Sequence, residues 1–172
     1  MSPITVEPLT PDAFKPFGDV IHIPVEPGRV YFDDALGNLR PHARASLSSV
    51  LRAPAPSLPL RVEMLERHEF SSQTFIAIDA ESWLIVVAPH AAGGGPDISG
   101  ARAFLATSKQ GVTYRANTWH HGLTVFDKPA QFAVYMWRDG TSSDEEFVQV
   151  DPFTVIACTG HDHPSNSRST TV

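Results

Sequence analysis

Prolines and glycines are spread along the whole chain, and they leave little room for a long helix. The 172 residues include 15 prolines and 11 glycines, and a proline inside a helix removes a hydrogen bond and clashes with the preceding turn. One short helix is predicted in TPDAFKPF, where Thr10 is a suitable N-cap and Pro11 suits the first turn. The rest of the chain must therefore consist of strands, turns and loops.

Short apolar or alternating segments fill the remaining intervals, and each is bounded by Pro, Gly, Asn, Asp or Ser, as strands are. They are DVIHI, ASLSSVLRA, LRVEMLERH, TFIAI, WLIVVAP, RAFLA, LTVFD, QFAVYMW and FVQV. Many short strands predict an all-β, antiparallel barrel or sandwich. No repeat or linker divides the chain, so we expect one domain over residues 1–157 and a polar C-terminal tail over 158–172.

Charge and composition argue against several classes of partner. The formal net charge of -6 is unsuited to binding nucleic acid or an anionic membrane surface. No apolar run approaches the roughly 20 residues that cross a bilayer, and the N-terminal MSPITVEPLTPDAF lacks the features of a signal peptide. The single cysteine, Cys158, fits a reducing compartment. We therefore expect a cytoplasmic protein.

Two predicted strands, WLIVVAP and QFAVYMW, are apolar on both faces. In the second, alternate positions divide into Phe132, Val134 and Met136 on one face and Ala133, Tyr135 and Trp137 on the other. Such a strand is covered on both sides, by the lumen and by another layer or subunit. This pattern predicts a homodimer.

The segment LRVEMLERHEF, residues 60–70, changes character along one face. Side chains alternate across a strand, so the core-facing set contains three apolar residues followed by Glu66 and His68. The other set should mostly face water: Arg61, Glu63, Leu65, Arg67 and Glu69. Burying an unpaired charge is costly, so Glu66 and His68 either pair with each other, contact a ligand, or lie in water at the barrel rim.

Other polar side chains occur where further predicted strands begin or end. Gln73 follows His68 after four residues, and a hairpin of this length can bring its amide back towards the first pair. The segment YRANTWHHGLTVF places Asn117 in a turn and His120 and His121 at a strand start. Gathered at one mouth of a barrel, these groups would form a pocket with few but specific polar side chains.

Two of these groupings resemble the cupin motifs. Glu66-x-His68, followed after four residues by Gln73, resembles the first motif, His-x-His-x(3,4)-Glu, with two ligand positions substituted. RANTWH resembles the second motif, Pro-x-Gly-x-x-His, with His120 as the ligand. The resemblance implies a cupin-type antiparallel jelly-roll barrel with one or two short helices.

In the second motif, two residues differ from the usual pattern. Arg115 stands in place of the proline and Asn117 in place of the glycine. Asparagine is among the few residues that tolerate positive φ as glycine does, so the second substitution is physically sensible.

Longer segments resemble the ureidoglycolate lyase family, formerly called ureidoglycolate hydrolase. They are LTPDAFKPFGDVI, ERHEFSSQTFIAID, WLIVVAP, PDISGARAFLATSKQGVTYRANTWHHGL and FAVYMW with RDGT after it. The resemblance runs from about residue 5 to about residue 150. It implies a carbon–nitrogen lyase that splits (S)-ureidoglycolate into glyoxylate and urea, at the end of the allantoin branch of purine degradation.

The resemblance also implies roles for individual residues. Glu66, His68 and His120, joined by Gln73, occupy positions that can hold a divalent ion, and nickel has been linked with the family. Without an ion, Glu66 is a candidate base and His68 or His120 a candidate acid. Strand alternation favours an inward-facing His121, whereas the motif favours His120, so we take both as catalytic candidates, with His120 first.

Basic and amide side chains near the motifs are candidates for binding the substrate. Arginine grips a carboxylate through paired hydrogen bonds, and the candidates are Gln73, Arg102, Lys109 and Arg115. Two other interpretations stay open: another cupin enzyme, such as a dioxygenase or isomerase, or a non-catalytic cupin that binds a small acid.

Overall fold

The computed structural model describes residues 2–158 of the chain. The predicted helix is confirmed as α1 (Pro11–Phe14), where the Thr10 side chain accepts a hydrogen bond from the Ala13 amide. A single 3₁₀ turn, Ile98–Gly100, accompanies it within these residues. No helix in this part of the chain is long and apolar enough to span a membrane. The predicted tail lies outside the described residues, apart from Cys158.

Seven strands form the larger sheet. They are β1 (Ile4–Pro8), β4 (Leu60–His68), β6 (Ser82–Ala88), β7 (Arg102–Thr107), β9 (Trp119–His120), β10 (Thr124–Val125) and β12 (Glu145–Ile156). Their order is β10-β6-β7-β1-β12-β4-β9, and β9 also pairs with β6. The sheet therefore closes on itself. Strand β1 runs parallel to β7 and β12, and the other pairs are antiparallel.

Five strands form the second sheet, and all its pairs are antiparallel. They are β2 (Gly18–His22), β3 (Arg44–Arg52), β5 (Gln73–Ala77), β8 (Gln110–Tyr114) and β11 (Ala130–Arg138). Their order is β2-β8-β5-β11-β3, so β3 forms one edge.

The predicted all-β barrel of jelly-roll type is confirmed, with two differences. The larger sheet is mixed because β1 is parallel to both of its neighbours. In addition, the sequence patterns did not predict β1 or β8, and the strand start predicted at His120 and His121 belongs to a separate short strand, β9. The segments ITVEP and QGVTY carry a proline or glycine that obscures a strand signal, and β9 has only two residues.

Two apolar cores explain the strand that is hydrophobic on both faces. Along β6, Trp83, Ile85 and Val87 pack into a core between the sheets. Leu84 and Val86, on the opposite face of β6, pack into a core inside the closed sheet. The double coverage predicted for WLIVVAP is thus confirmed. It is provided here by two layers of one chain.

Strand β4 departs from the predicted division between a core face and a water face. Leu65 is 1% exposed and shares the inner core with Val62, whereas Met64 is 44% exposed. The prediction that Leu65 and Arg67 face water is wrong, because the closed sheet encloses a core of its own on that side. The pairing of β4 with β12 also shifts register between Gln149 and Phe153, and such an irregularity disturbs simple alternation.

Candidate active site

A cavity of about 470 Å³ lies between the two sheets. Its polar lining comes from Arg52 on β3, Glu66 on β4, Gln73 on β5 and His121 after β9, while Phe147 on β12 is among the apolar lining residues. The predicted hairpin between His68 and Gln73 is wrong, because β4 and β5 belong to different sheets. Gln73 nevertheless lines the same cavity as Glu66. A mostly apolar cavity with a few convergent polar groups is typical of a small-molecule site.

Glu66 and His120 face each other across paired strands. The two residues are in register between β4 and β9, and His120 Nε2 lies 3.3 Å from Glu66 Oε1. The other ring nitrogen, Nδ1, lies 3.0 Å from the Thr118 carbonyl oxygen. Because a carbonyl only accepts, Nδ1 carries hydrogen. The second ring nitrogen, Nε2, therefore faces the Glu66 carboxylate, and a hydrogen on it would point towards that group.

Aromatic rings fix the orientation of the His120 imidazole. The Tyr114 ring stacks on it with centroids 4.2 Å apart and planes at 18°, and the His68 ring lies on it at 6.1 Å and 29°. His120 is 1% exposed. Burial raises the pKa of Tyr114 well above its usual range, so this phenol stays neutral. The imidazole therefore has little freedom to turn away from Glu66.

His68 is buried beside Asp144. Its Nδ1 lies 3.6 Å from Asp144 Oδ2, and neither ring nitrogen has a hydrogen-bond partner within residues 2–158. Asp144 accepts hydrogen bonds from the Phe70 amide, the Ser71 hydroxyl and Arg40. Burial, with the neighbouring His120, lowers the pKa of His68 below its usual value, against the opposing effect of Asp144. His68 is therefore mainly neutral at pH 7.

His121 and Gln73 present polar atoms to the cavity. His121 Nδ1 donates to the Gly122 carbonyl at 3.0 Å, so the neutral ring has its lone pair on Nε2. Burial lowers the pKa of His121, and the positive charge of Arg52 adds to this effect. The buried Oε1 of Gln73 has no hydrogen-bond partner in the described residues. Both side chains retain unused hydrogen-bonding capacity for a ligand.

Glu66 is the acidic side chain on the cavity wall. Burial, the largest single effect, tends to raise its pKa, but the neighbouring imidazoles, His120 above all, together hold the pKa below its usual value. The carboxylate is thus ionised at neutral pH, next to the His120 imidazole. A carboxylate in contact with an imidazole combines the two side-chain types that most often move protons in enzymes.

The turn before His120 is held in place by contacts of Asn117 and Arg67. Asn117 has φ 68, which confirms that it takes the conformation a glycine would adopt. Its amide donates to the His68 carbonyl at 2.7 Å, and its side-chain oxygen accepts from Arg67. The Arg67 guanidinium stacks over Trp119 at 4.8 Å. These contacts fix β9 against β4 and so set the separation of Glu66 and His120.

The predicted basic substrate-binding residues do not line the cavity. Arg102 donates to Glu7 and to the Ala13 carbonyl, while Lys109 and Arg115 are exposed. Of the four candidates, Gln73 alone lies on the cavity wall.

Three residues around the site were not predicted from the sequence. Arg52 and Tyr114 share a strand face with Val50 and Val112 respectively, a period-two signal that could have found them. Asp144 lies in the loop before β12, where no sequence pattern indicates a contact with His68.

The predicted divalent ion can be assessed from the donor atoms. The unpartnered nitrogens of His68 and His120, together with the Glu66 carboxylate, are ligands of suitable chemistry. However, no three His, Cys, Asp or Glu side chains within residues 2–158 are placed to hold a metal ion. The described arrangement does not fit a metal centre, and the reaction steps below use side chains alone.

The fold and the cavity together define a class of protein: a cupin-like β-barrel enzyme with a carboxylate on its cavity wall and an imidazole directly behind it. A family model described as ureidoglycolate lyase matches residues 1–157. The chain therefore belongs to the ureidoglycolate lyase family.

Individual relatives agree with this assignment. The chain is 37% identical to "Ureidoglycolate lyase" of Pseudomonas fluorescens (strain Pf0-1), over 91% of this chain and 98% of that protein. It is 39% identical to "Ureidoglycolate lyase" of Brucella melitensis biotype 2, over 76% of this chain and 80% of that protein. A solved dTDP sugar isomerase from Desulfovibrio desulfuricans G20 is similar at 19% identity and TM-score 0.42, over 77% of this chain and 85% of that one. This last likeness is too distant to carry an argument.

Proposed function

We propose that this enzyme cleaves (S)-ureidoglycolate into glyoxylate and urea, as a carbon–nitrogen lyase of purine degradation. The observation that supports the chemistry is the Glu66–His120 pair, with the carboxylate on the cavity wall and the imidazole 3.3 Å behind it. The family membership of residues 1–157 supports the choice of substrate.

The reacting carbon of the substrate carries a hydroxyl, a carboxylate and the ureido nitrogen. To break the C–N bond, a base must take the hydroxyl proton and an acid must supply a proton to the departing nitrogen. The hydroxyl oxygen then becomes the carbonyl of glyoxylate, and the protonated nitrogen leaves with urea. No water is consumed, so the step is an elimination.

The Glu66–His120 pair can perform both proton transfers. The ionised Glu66 takes the hydroxyl proton, and the proton shared with His120 passes through the carboxyl group to the ureido nitrogen. Glu66 then returns its newly gained proton to His120, which restores the starting state. General acid–base catalysis of this kind contributes about 10²–10⁴-fold to a rate.

The remaining polar groups orient the substrate and the pair. The neutral His121 accepts a hydrogen bond from the ureido group through Nε2, and Gln73 Oε1 accepts another. His68 packs against His120 and keeps its ring in place. These contacts hold the C–N bond next to Glu66.

Racemic ureidoglycolate tests this function. Purified protein is incubated with the racemate, and trapped glyoxylate is measured against the spontaneous rate and against heat-unfolded protein. We expect release that stops when half of the racemate is consumed, with one urea formed per glyoxylate. Release at the spontaneous rate would contradict the proposal.

Two further predictions belong to the same proposal. We propose a homodimer, supported by the exposed Leu47 and Leu51 on the edge strand β3, and light scattering after gel filtration measures its mass.

We also propose a cytoplasmic location, supported by the single free Cys158, and cell fractionation measures this. Whether nickel or another divalent ion binds is measured by metal analysis of the purified enzyme.

A further inference from the structure

The cavity contains one strongly basic side chain, which takes no part in the proton transfers. Arg52 is the last residue of β3, and it lines the cavity together with Glu66, Gln73 and His121. It is the only Lys or Arg among the lining residues of this cavity, within the described part of the chain. Arg52 comes from the five-stranded sheet and Glu66 from the seven-stranded sheet, so the two side chains reach the cavity from different walls.

Three other arginines already form ion pairs with carboxylates of the protein. Arg40 pairs with Asp139 and Asp144, Arg67 with Glu146, and Arg102 with Glu7. By contrast, the Arg52 side chain forms no hydrogen bond or ion pair within residues 2–158. Its five N–H donors are therefore available to a ligand.

An anionic substrate needs such a group in this cavity. Glu66 is ionised, and a second carboxylate that entered the same partly apolar space would be repelled. A guanidinium offsets this repulsion and binds a carboxylate through two parallel hydrogen bonds. It also fixes the direction of the substrate, because only one end of the molecule carries a charge.

We propose that Arg52 binds the carboxylate of the substrate, an inference that rests on the proposed function. The carboxylate lies against the β3 wall, and the hydroxyl and ureido groups point towards Glu66 and His121. Arg52 thus selects 2-hydroxy acids over their uncharged amides and esters. It takes no part in the proton transfers.

Steady-state kinetics of Arg52→Gln, Arg52→Lys and Arg44→Gln test this role. Arg44 is the matched control, because it is exposed on the same strand but does not line the cavity. A charge-assisted contact is worth about 1.5–3 kcal/mol, so we expect Arg52→Gln to raise KM by about 10- to 100-fold. We expect kcat to change much less, Arg52→Lys to recover part of the loss, and Arg44→Gln to behave as wild type. A fall in kcat with unchanged KM would overturn the proposal.

Equilibrium binding of glyoxylate separates this inference from the proposed function. Isothermal titration measures binding to the wild type and to Arg52→Gln, with thermal unfolding to show that both are folded. We expect the variant to bind glyoxylate about 10- to 100-fold more weakly, the same ratio as for KM. Equal affinities in the two proteins would overturn the role of Arg52 even if the wild type releases glyoxylate. If the wild type cleaves no ureidoglycolate yet loses glyoxylate binding with Arg52→Gln, the proposed function fails and the carboxylate site stands.

Discussion

The imidazole of His120 lies 3.3 Å from the carboxylate of Glu66, across a pair of antiparallel strands in which the two residues are in register. Because both side chains leave the sheet on the same face, the backbone pairing itself determines their separation. The hydrogen bond from His120 Nδ1 to the Thr118 carbonyl then directs Nε2 at the carboxylate. This arrangement suits the transfer of a proton between the two side chains.

Replacement of His120 and of His121 should affect different kinetic constants. We expect His120→Ala to lower kcat by about 10²-fold or more, because the proton shared with Glu66 is lost. His121→Ala should mainly raise KM, because His121 only orients the ureido group. Steady-state glyoxylate release measures both. A His121→Ala protein that lost kcat, beside an active His120→Ala protein, would show that the two roles are reversed.

His68→Ala should remove most of the activity although His68 does not line the cavity. Its ring packs on His120 at 6.1 Å, and without it the His120 ring can tilt away from Glu66. We expect a fall in kcat at nearly constant KM, with a far-ultraviolet circular dichroism spectrum like that of the wild type. Wild-type kcat in a folded His68→Ala protein would refute this positioning role.

Acid should destabilise the protein before its carboxylates titrate. In the folded state the pKa values of His68 and His121 lie below 6.5, the value for a free histidine, chiefly because of burial. As the pH falls through about 6.5, the unfolded chain binds protons that the folded chain does not. The free energy of unfolding is therefore fully retained above that pH and decreases below it.

Urea unfolding at pH 7.5 and pH 5.5 measures this dependence. We expect a lower midpoint at the acidic pH for the wild type and a smaller difference for His68→Asn. The same difference in both proteins would mean that His68 is not the group responsible.

Asp144→Ala should destabilise the fold. Its carboxylate is buried and accepts hydrogen bonds from Arg40, Ser71 and the Phe70 amide. Arg40 keeps its ion pair with Asp139, but the buried Ser71 hydroxyl and the Phe70 amide lose their acceptor, and an unsatisfied buried donor costs about 1–3 kcal/mol. Urea unfolding measures the loss. Lys128→Ala is the control, because its ion pair with Glu81 is exposed and should contribute nothing measurable. Equal stability of the two variants would contradict the prediction.

Chelation should leave the reaction rate unchanged, because the Glu66–His120 pair completes both proton transfers without an ion. Glyoxylate release is measured before and after removal of divalent ions and after addition of nickel. A rate that falls on chelation and recovers with nickel would instead support the ion that the motif resemblance predicts.

The sequence predicted the strands and the site residues unevenly, for physical reasons. Alternation placed Glu66 and His68 on one face, and the tolerance of asparagine for positive φ explained Asn117, because both are local properties. Leu65 and Arg67 were misplaced because the closure of the larger sheet creates a second core, and closure depends on pairings between distant segments. Arg52 and Asp144 reach the site for the same reason: β3 and the loop before β12 approach it only in the folded chain.

The kcat of Glu66→Gln tests the central claim most directly. Glutamine keeps the size of the side chain and its place on the cavity wall, but it cannot take the hydroxyl proton. We predict a loss of at least about 10²-fold in glyoxylate release, with thermal stability and glyoxylate binding retained. A folded Glu66→Gln protein that releases glyoxylate at the wild-type rate would contradict the account.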